Sequence, residues 1–359
     1  MSTEALPGKS PFKTWAQEIA RDPTQVRALR FAAGVTLSVA LAYGINWPLS
    51  FLFPVLTSVF LSMPLPMPSL RAGLRNMLHT LLAFGLGLVF SLFFLKYPAV
   101  YILMLGLVLF HLYYYLNRGG SFWLTLMSII AILMLPMLAN THDGLAVGLS
   151  TGFVFSSWLT VLMVWFSHLL IPDPGYTGNQ KKSPPGPPGF QSVYSPQAAQ
   201  KALKSTLVVF PIATLFIIFD LSGYLLVMIF SAIFILKPEL SAGKEAGKNS
   251  LISTILGGAC AWLFYWLIVA MPEYHFFLAL MLFTTLIFGL NIFAGKPTSK
   301  YYGSAFIALL ILVNGGMAEG AEFLALFATR IALIVLAVMY VVFALKLLDS
   351  YWPAEQRFK

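Results

Sequence analysis

The chain has 359 residues, of which 59% are hydrophobic and 10% are charged, with a formal net charge of +9 and a mean hydropathy of +0.83. Because soluble domains carry about 25% charged residues, this composition excludes a soluble globular protein and indicates a polytopic membrane protein. The single cysteine, Cys260, also excludes a disulfide framework or a cysteine-based zinc site within one chain.

Residues 1–27 are polar and lack the early apolar core of a cleavable signal peptide. We therefore expect this segment to stay in the mature protein, on the cytoplasmic side. The stretch 11–19 within it is compatible with a short helix lying at the membrane surface and equally with a flexible tail.

Crossing a hydrocarbon layer about 30 Å thick takes roughly 20 apolar residues in a helix. That length predicts six spans near 28–45, 48–66, 75–95, 98–116, 121–139 and 145–171. Six more are predicted near 202–219, 221–236, 249–271, 274–293, 301–318 and 321–348. The seventh and eighth spans are short and are separated only around Asp220, so whether both fully cross is left open.

Between the two sets, residues 172–201 are rich in proline, glycine and polar side chains and are predicted to be a linker. The chain then divides into a first membrane repeat at 28–171, a second at 202–349 and a cytoplasmic tail at 350–359. An even number of spans in each repeat gives both the same orientation. The predicted fold is all-α, with about 12 transmembrane helices in two parallel six-helix repeats.

Basic residues indicate the orientation of these spans. When alternate loops are assigned to one side, that side collects all of the 22 lysines and arginines except Lys96 and Arg330. Loops on the other side carry Asp143, Asp220 and Glu273 instead. By the positive-inside rule, both termini and the linker are therefore expected in the cytoplasm.

The third and ninth spans begin with similar sequence motifs. Arg71 and Arg75 lie in PSLRAGLRNMLHT, and Lys244 and Lys248 have the same spacing in PELSAGKEAGKNS. These cations have two interpretations, which can both hold: they anchor helix ends at the cytoplasmic surface, or they line a vestibule that concentrates anions before a central path. Parallel repeats usually enclose such a path at their interface.

The first half contains PVLTSVFLSMP, then a short basic loop, then RNMLHTLLAFGLG, and the second half repeats these features in the same order. This arrangement resembles the fusaric acid resistance and aromatic acid exporter superfamily. The resemblance covers both membrane repeats. Two departures distinguish this chain: His79 replaces the glycine usual before Thr80, and the large soluble domain found between the halves of many members is reduced to the linker. The chain is thus similar to a compact branch of that superfamily.

The resemblance implies export of small organic anions, often aromatic acids, from cytoplasm to periplasm across a bacterial inner membrane. It also implies a periplasmic adaptor protein of the membrane-fusion type as a partner. We further expect contact with membrane lipid and none with nucleic acid, and the sequence leaves a monomer and a homo-oligomer open.

Arg330 lies about nine residues into the last predicted span, where a charge is costly and usually faces the bundle interior or water. We therefore predict that it binds or passes an anion. The alternatives are an ion pair with Glu322 and a side chain that extends back to the membrane surface. Its counterpart in the first half is neutral, near Ser150 and Thr151.

His79 and His111 also fall within apolar spans, where a histidine can carry protons or bind carboxylates, although a hydrogen-bonded packing role is the commoner alternative. The predicted spans contain no carboxylate pair at membrane depth. Anion export would therefore run on the membrane potential, or on proton exchange through one of these histidines.

Aromatic side chains gather at the cytoplasmic ends of three predicted spans, where an interfacial belt or stacking on an aromatic substrate explains them. They are Tyr113, Tyr114, Tyr115, Trp123, Tyr301 and Tyr302. Prolines 54, 136 and 211 interrupt spans and indicate either broken helices near a binding site or ordinary kinks.

The sequence lacks a GxxxxGK[ST] phosphate loop, an HExxH motif and a GxSxG motif, so we expect no enzyme and predict no cofactor or metal. The best interpretation is an exporter of small organic anions. Arg71, Arg75, Lys244 and Lys248 would attract the anion, and Arg330 would hold it at depth. The alternatives are a non-transporting scaffold or envelope-complex subunit, and a lipid-handling permease.

Overall fold

The computed structural model describes residues 22–45, 49–172, 190, 193–319 and 323–351. Within these residues the chain is all-α, with six helices in each half. The stretch 11–19, most of the linker, Glu322 and the last eight residues of the tail lie outside the described residues, so the predictions about them stay predictions.

The helices follow the two predicted sets. The first half contains α1 (Pro23–Gly44), α2 (Leu52–Leu61), α3 (Leu70–Phe94), α4 (Pro98–Asn117), α5 (Phe122–Thr141) and α6 (Asp143–Leu170). The second half contains α7 (Pro196–Ile218), α8 (Leu225–Phe234), α9 (Leu240–Ala270), α10 (Tyr274–Ile292), α11 (Ser299–Glu319) and α12 (Phe323–Tyr351). A single turn of 3-10 helix, Ser222–Tyr224, precedes α8.

Among the described residues, nine helices are long and apolar enough to cross a membrane. The helices α2 and α8 have 10 residues each. That is about 15 Å of helix, half of a hydrocarbon layer. The prediction of helical spans over 48–66 and 221–236 is therefore wrong, whereas α7, expected to be short, has 23 residues.

Local backbone geometry explains why α2 and α8 are short. Leu49 and Asp220 precede them with φ angles of 61° and 47°, in the left-handed region that a right-handed helix cannot include. Each helix ends a few residues before a proline, Pro64 or Pro238, which has no amide hydrogen to donate. The described backbone that follows each helix, at residues 62–69 and 235–239, is irregular. Proteins tolerate irregular backbone at membrane depth only where it is buried or lines a cavity.

The two halves use the same helix pairing. The third helix of each half packs on the fifth and sixth, so α3 contacts α5 and α6 while α9 contacts α11 and α12. The second helix of each half packs on the first and the sixth. Between the halves, α1 contacts α10 and α2 contacts α11, and the equivalent pairs are α7 with α4 and α8 with α5. A pseudo-two-fold axis therefore relates the halves.

Hydrogen bonds show that both halves begin at the same end of the bundle. In the first half, Arg30 Nε near the start of α1 donates to the Ile171 carbonyl after α6, at 2.9 Å. In the second half, Lys204 near the start of α7 pairs in the same way with Asp349 near the end of α12. The first and last helices of each half are thus joined by a cation.

Further bonds connect these two ends. Trp165 Nε1 on α6 donates to the Pro68 carbonyl before α3, and His79 on α3 lies 3.1 Å from Ser121 at the start of α5. The amide of Ser195 before α7 donates to Tyr114 Oη at the end of α4. We call this end of the bundle, where α1, α3, α5, α7, α9 and α11 begin, the basic end. The arrangement confirms an all-α polytopic membrane fold built from two parallel repeats.

Two hydrophobic clusters fill the seam between the halves. One joins α4 and α5 to α7, α8 and α12, and the other joins α1 to α10 and α11. Tyr113, expected in an aromatic belt, is instead fully buried in the first cluster, where its hydroxyl donates to the Ala232 carbonyl of α8 at 3.1 Å. In the second, Phe31 and Phe306 meet edge to face at 5.3 Å. Much of the seam is therefore dry and packed.

Candidate functional site

Arg330 lies within the membrane part of α12, about 11 Å along the helix axis from its start. Only 9% of the residue is exposed. Its Nε atom is buried and has no hydrogen-bond partner in the described part of the chain. Burial of a guanidinium group is expensive unless a partner neutralises it.

A cavity of about 370 Å³ lies against Arg330. We call it the Arg330 cavity. Its wall is otherwise apolar apart from one hydroxyl group, that of Thr329. The other lining residues are Gly223, Leu226, Ile311, Leu312, Gly315, Ala325, Leu326 and Leu333. One cation on an aliphatic wall suits a small anion with an apolar body, because both parts of such a molecule find matching surroundings.

A second cavity of about 390 Å³ opens at the basic end, and we call it the basic-end cavity. It lies between the halves, since α2 belongs to the first and α10 and α11 to the second. Its lining residues are Val59, Ser62, Met63, Ile292, Ser299, Lys300, Gly303, Ser304 and Ile307. Three hydroxyl groups and one ammonium group make it the more polar of the two cavities.

Helix α11 contributes residues to both cavities. Gly303 and Ile307 line the basic-end cavity, and Ile311 and Gly315 line the Arg330 cavity. At 3.6 residues per turn, each step of four residues turns about 40° around the helix, so the first and the last of these residues point about 120° apart. The two cavities therefore border different sides of α11 at different heights.

The half-length helices create both spaces. The basic-end cavity lies where α2 stops, beside Ser62 and Met63, and the Arg330 cavity lies where α8 starts, beside Gly223 and Leu226. Full-length helices in these positions would occupy that volume. The irregular backbone at membrane depth thus lines cavities, which is where it is tolerated.

The four cations predicted to attract an anion lie at the basic end. Arg71 and Arg75 are exposed in the first turns of α3, and Lys244 and Lys248 are exposed in the first turns of α9. The helices α3 and α9 pack within their own halves rather than across the seam. The structure therefore places both pairs at the basic end without joining them in one site.

His79 belongs to a hydrogen-bond network rather than to either cavity. Its Nδ1 atom lies 3.1 Å from Ser121 Oγ. The adjacent Thr80 hydroxyl accepts a bond from Trp123 Nε1 at 3.0 Å and lies 3.0 Å from Ser157 Oγ. These contacts join α3, α5 and α6. They agree with the alternative in which His79 has a hydrogen-bonded packing role.

His111 lies on an exposed face of α4, where its Nδ1 atom is 2.8 Å from the Leu107 carbonyl oxygen. It lines neither the Arg330 cavity nor the basic-end cavity. The structure therefore separates His111 from the residues that could bind an anion.

Lys300 is the cavity residue that sequence reasoning missed. Its Nζ atom forms an ion pair with Glu245 Oε1 of α9 at 3.1 Å. In the sequence, a lysine before an apolar run is typical of a topology signal. Its position beside α2 arises only when the two halves pack together, so spacing along the chain gives no signal for it.

A third cavity, of about 540 Å³, lies between α3 and α6 and is lined mainly by apolar side chains and glycines, among them Leu81, Gly85, Gly148 and Trp158. Leu81 and Trp158 are exposed on the outside of the bundle. In the described part of the chain, this groove is lined by no charged side chain and shares no lining residue with the other two cavities.

Comparison with known proteins gives one finding. A family model described as a protein of unknown function, DUF2955, matches residues 27–166, which cover α1 to most of α6. No curated protein and no solved structure matches the chain. The resemblance to the fusaric acid resistance and aromatic acid exporter superfamily therefore stays a prediction. What the comparison supports is that the first half of this chain is similar to the DUF2955 family.

Proposed function

We propose that this protein exports small organic anions, including aromatic carboxylates, from cytoplasm to periplasm across a bacterial inner membrane, with both termini in the cytoplasm. The observation that carries the proposal is Arg330, a buried guanidinium group on the wall of a cavity, with no partner for its Nε atom in the described residues. An anion that enters this cavity removes the cost of the buried charge.

In this proposal, α11 supplies the route to Arg330. An anion that leaves the basic-end cavity would move along α11, past Ile307 and Ile311, to the Arg330 cavity. A tilt or rotation of α11 that moves these two isoleucines would open one cavity to the other. That motion would give a gated path.

Charge sets the direction of transport. The basic end carries 13 of the described lysines and arginines, which raises the local concentration of anions on that side. They are Arg27, Arg30, Arg71, Arg75, Arg118, Lys201, Lys204, Lys237, Lys244, Lys248, Lys296, Lys300 and Lys346. With this end in the cytoplasm, each exported negative charge gains about 2.3 kcal/mol per 100 mV. The membrane potential alone would then drive export.

The test is efflux of radiolabelled benzoate from liposomes that contain the purified protein, with an imposed membrane potential. Arg330→Ala should reduce the initial rate at least about tenfold, because a buried charge partner of the anion is lost. Arg330→Lys, which keeps the charge, should retain part of the rate. Lys96→Ala, which removes a cation from the opposite end, is the matched control and should leave efflux unchanged.

Equal efflux from the wild type and Arg330→Ala, with equal melting temperatures, would remove Arg330 from the mechanism. A scaffold would give no efflux in any variant and no dependence on the potential. The periplasmic adaptor implied by the resemblance is part of the same proposal, and co-purification from crosslinked cells tests it separately.

A further inference from the structure

The basic-end cavity has the features of a binding site of its own. It combines the Lys300 ammonium group with the hydroxyl groups of Ser62, Ser299 and Ser304 and with an apolar wall. Ser62 Oγ donates its hydrogen to the Val59 carbonyl at 2.9 Å, and Ser299 Oγ donates to the Asn291 carbonyl at 2.7 Å. The hydrogens of these two hydroxyl groups are thus engaged, so Lys300, the charged residue of the lining, would hold an anion, with Ser304 as a further hydroxyl group beside it.

The Lys300 ammonium group already pairs with a carboxylate, that of Glu245. Glu245 Oε1 lies 3.1 Å from Lys300 Nζ, and the two side chains are 65% and 49% exposed. Lys300 Nζ also lies 5.3 Å from the centroid of the Tyr301 ring. Exposed ion pairs are weak, so another carboxylate in the cavity can displace that of Glu245 at little cost.

We propose that the basic-end cavity is an entry site for the transported carboxylate, which binds Lys300 in exchange for Glu245 before it passes along α11 to Arg330. This inference rests on the proposed function and adds a second binding site to it. Glu245 keeps the site neutral when it is empty. Substrates without a carboxylate or an equivalent anionic group do not displace Glu245, so the pair selects for charge before the anion reaches membrane depth.

The position of the cavity gives this exchange a consequence for transport. Its walls come from α2 on one side and from α10 and α11 on the other, so it lies at the junction between the halves. Glu245 lies on α9 and Lys300 on α11. Release of the pair removes an ion pair between these two helices just where α11 would have to move.

The test uses the reactivity of a single cysteine in the full-length protein in liposomes. Cys260→Ala, chosen because Cys260 lies in a membrane helix away from the cavity lining, provides the background once it retains wild-type efflux. Ser304→Cys then places a thiol on the cavity wall. Its rate of reaction with a sulfonate-bearing thiol reagent is measured against benzoate concentration. Benzoate should slow the reaction severalfold, with a saturating dependence on concentration.

Two variants test the ion pair. Lys300→Met should abolish protection by benzoate, because the cation that holds it is gone. Glu245→Gln should lower the benzoate concentration for half-protection about two- to fivefold, the range expected when an exposed competing ion pair is removed. Lys96→Met is the control, and protection in it should match the background protein.

The outcomes separate this inference from the proposed function. Normal benzoate efflux without protection of Ser304→Cys, or protection that persists in Lys300→Met, would overturn the entry site and leave export intact. Protection lost in Lys300→Met but unchanged in Glu245→Gln would overturn the exchange. Protection that depends on Lys300 in a protein that shows no efflux would support the site and contradict export.

Discussion

The two half-length helices, α2 and α8, occupy equivalent places in the two halves but open cavities at opposite ends. Both have 10 residues, both follow a left-handed residue and both precede a proline. The basic-end cavity lies beyond the last residue of α2, whereas the Arg330 cavity lies at the first residues of α8. Both halves therefore contain a helix too short to cross the membrane. The two copies border cavities at opposite ends of the bundle because the helices around them differ.

The surroundings differ in polarity as well. In the first half, hydrogen bonds among Thr80, Trp123 and Ser157 join α3, α5 and α6, and the groove between α3 and α6 is lined by no charged side chain among the described residues. In the second half, α12 places Arg330 beside an open volume. The groove of the first half is therefore uncharged, whereas the second half contains a cavity with a cation on its wall.

The largest effect is expected at the contact of α9 with α11. A methyl group at Gly257 would collide with the backbone carbonyl of Ala305, which cannot shift without moving α11. We expect Gly257→Ala to lower the free energy of unfolding by about 3 kcal/mol, measured as denaturant unfolding in detergent. Because α11 lines both cavities, benzoate efflux should fall as well.

The equivalent contact in the first half supplies the control. A methyl group at Gly87 would lie 2.9 Å from Ala131 Cβ and 3.3 Å from Leu135 Cδ1, so a displacement of a few tenths of an ångström relieves the contact, whereas the Ala305 oxygen lies much closer to Gly257. Gly87→Ala should therefore cost about 1 kcal/mol or less, partly offset by the better helix propensity of alanine. Equal costs in the two halves would contradict the tighter packing of α11.

A smaller effect is expected from the two cations that join first and last helices. Arg30 is only 3% exposed and donates to the Ile171 carbonyl, whereas Lys204 and Asp349 are partly open to water. Arg30→Met should cost about 2 kcal/mol, because a partly buried carbonyl loses a charged donor. Lys204→Met should cost less than about 1 kcal/mol. Thermal melting in detergent compares the two, and the reverse order would show that Arg30 is not the stronger link.

The smallest effect is expected from the exposed pairs of cations at the basic end. The double variant Lys244→Gln/Lys248→Gln should slow benzoate efflux about threefold at low salt, through weaker attraction of anions to this end. Arg71→Gln/Arg75→Gln should have less effect, because α3 does not carry the partner of Lys300 whereas α9 does.

Salt decides whether this effect is electrostatic. Near 1 M salt, where the Debye length is about 3 Å, both double variants should match the wild type. A defect that persists at high salt would instead indicate that these residues bind the anion directly or hold α3 and α9 in place.

Most of the fold follows from local sequence properties, and the exceptions have physical causes. The lengths of the apolar runs and the distribution of basic residues were enough to predict twelve helices in two parallel sets. They could not reveal that α2 is short, because its apolar run is long enough for a span and its start depends on a left-handed Leu49, a residue type with no preference for that conformation.

The residues of the candidate site also differ in whether the sequence alone can reveal them. Arg330 could be singled out because a charge inside an apolar run is visible in the sequence alone. Lys300 could not, because its role depends on Ser62 and Val59 of the other half, more than 200 residues away in the chain. For His79, the sequence left proton transfer and a packing role open, and the contact of its Nδ1 atom with Ser121 Oγ at 3.1 Å depends on the packing of α3 against α5, which the sequence does not show.

The parallel arrangement of the halves also has a consequence for the proposed transport. In transporters with inverted repeats, exchanging the conformations of the two repeats converts an inward-open state into an outward-open state of similar energy. Here the pseudo-symmetry axis runs along the membrane normal, and it never maps one face of the bilayer onto the other. In the proposed transport, the states open to each side would therefore be unrelated by symmetry and would have free energies of their own.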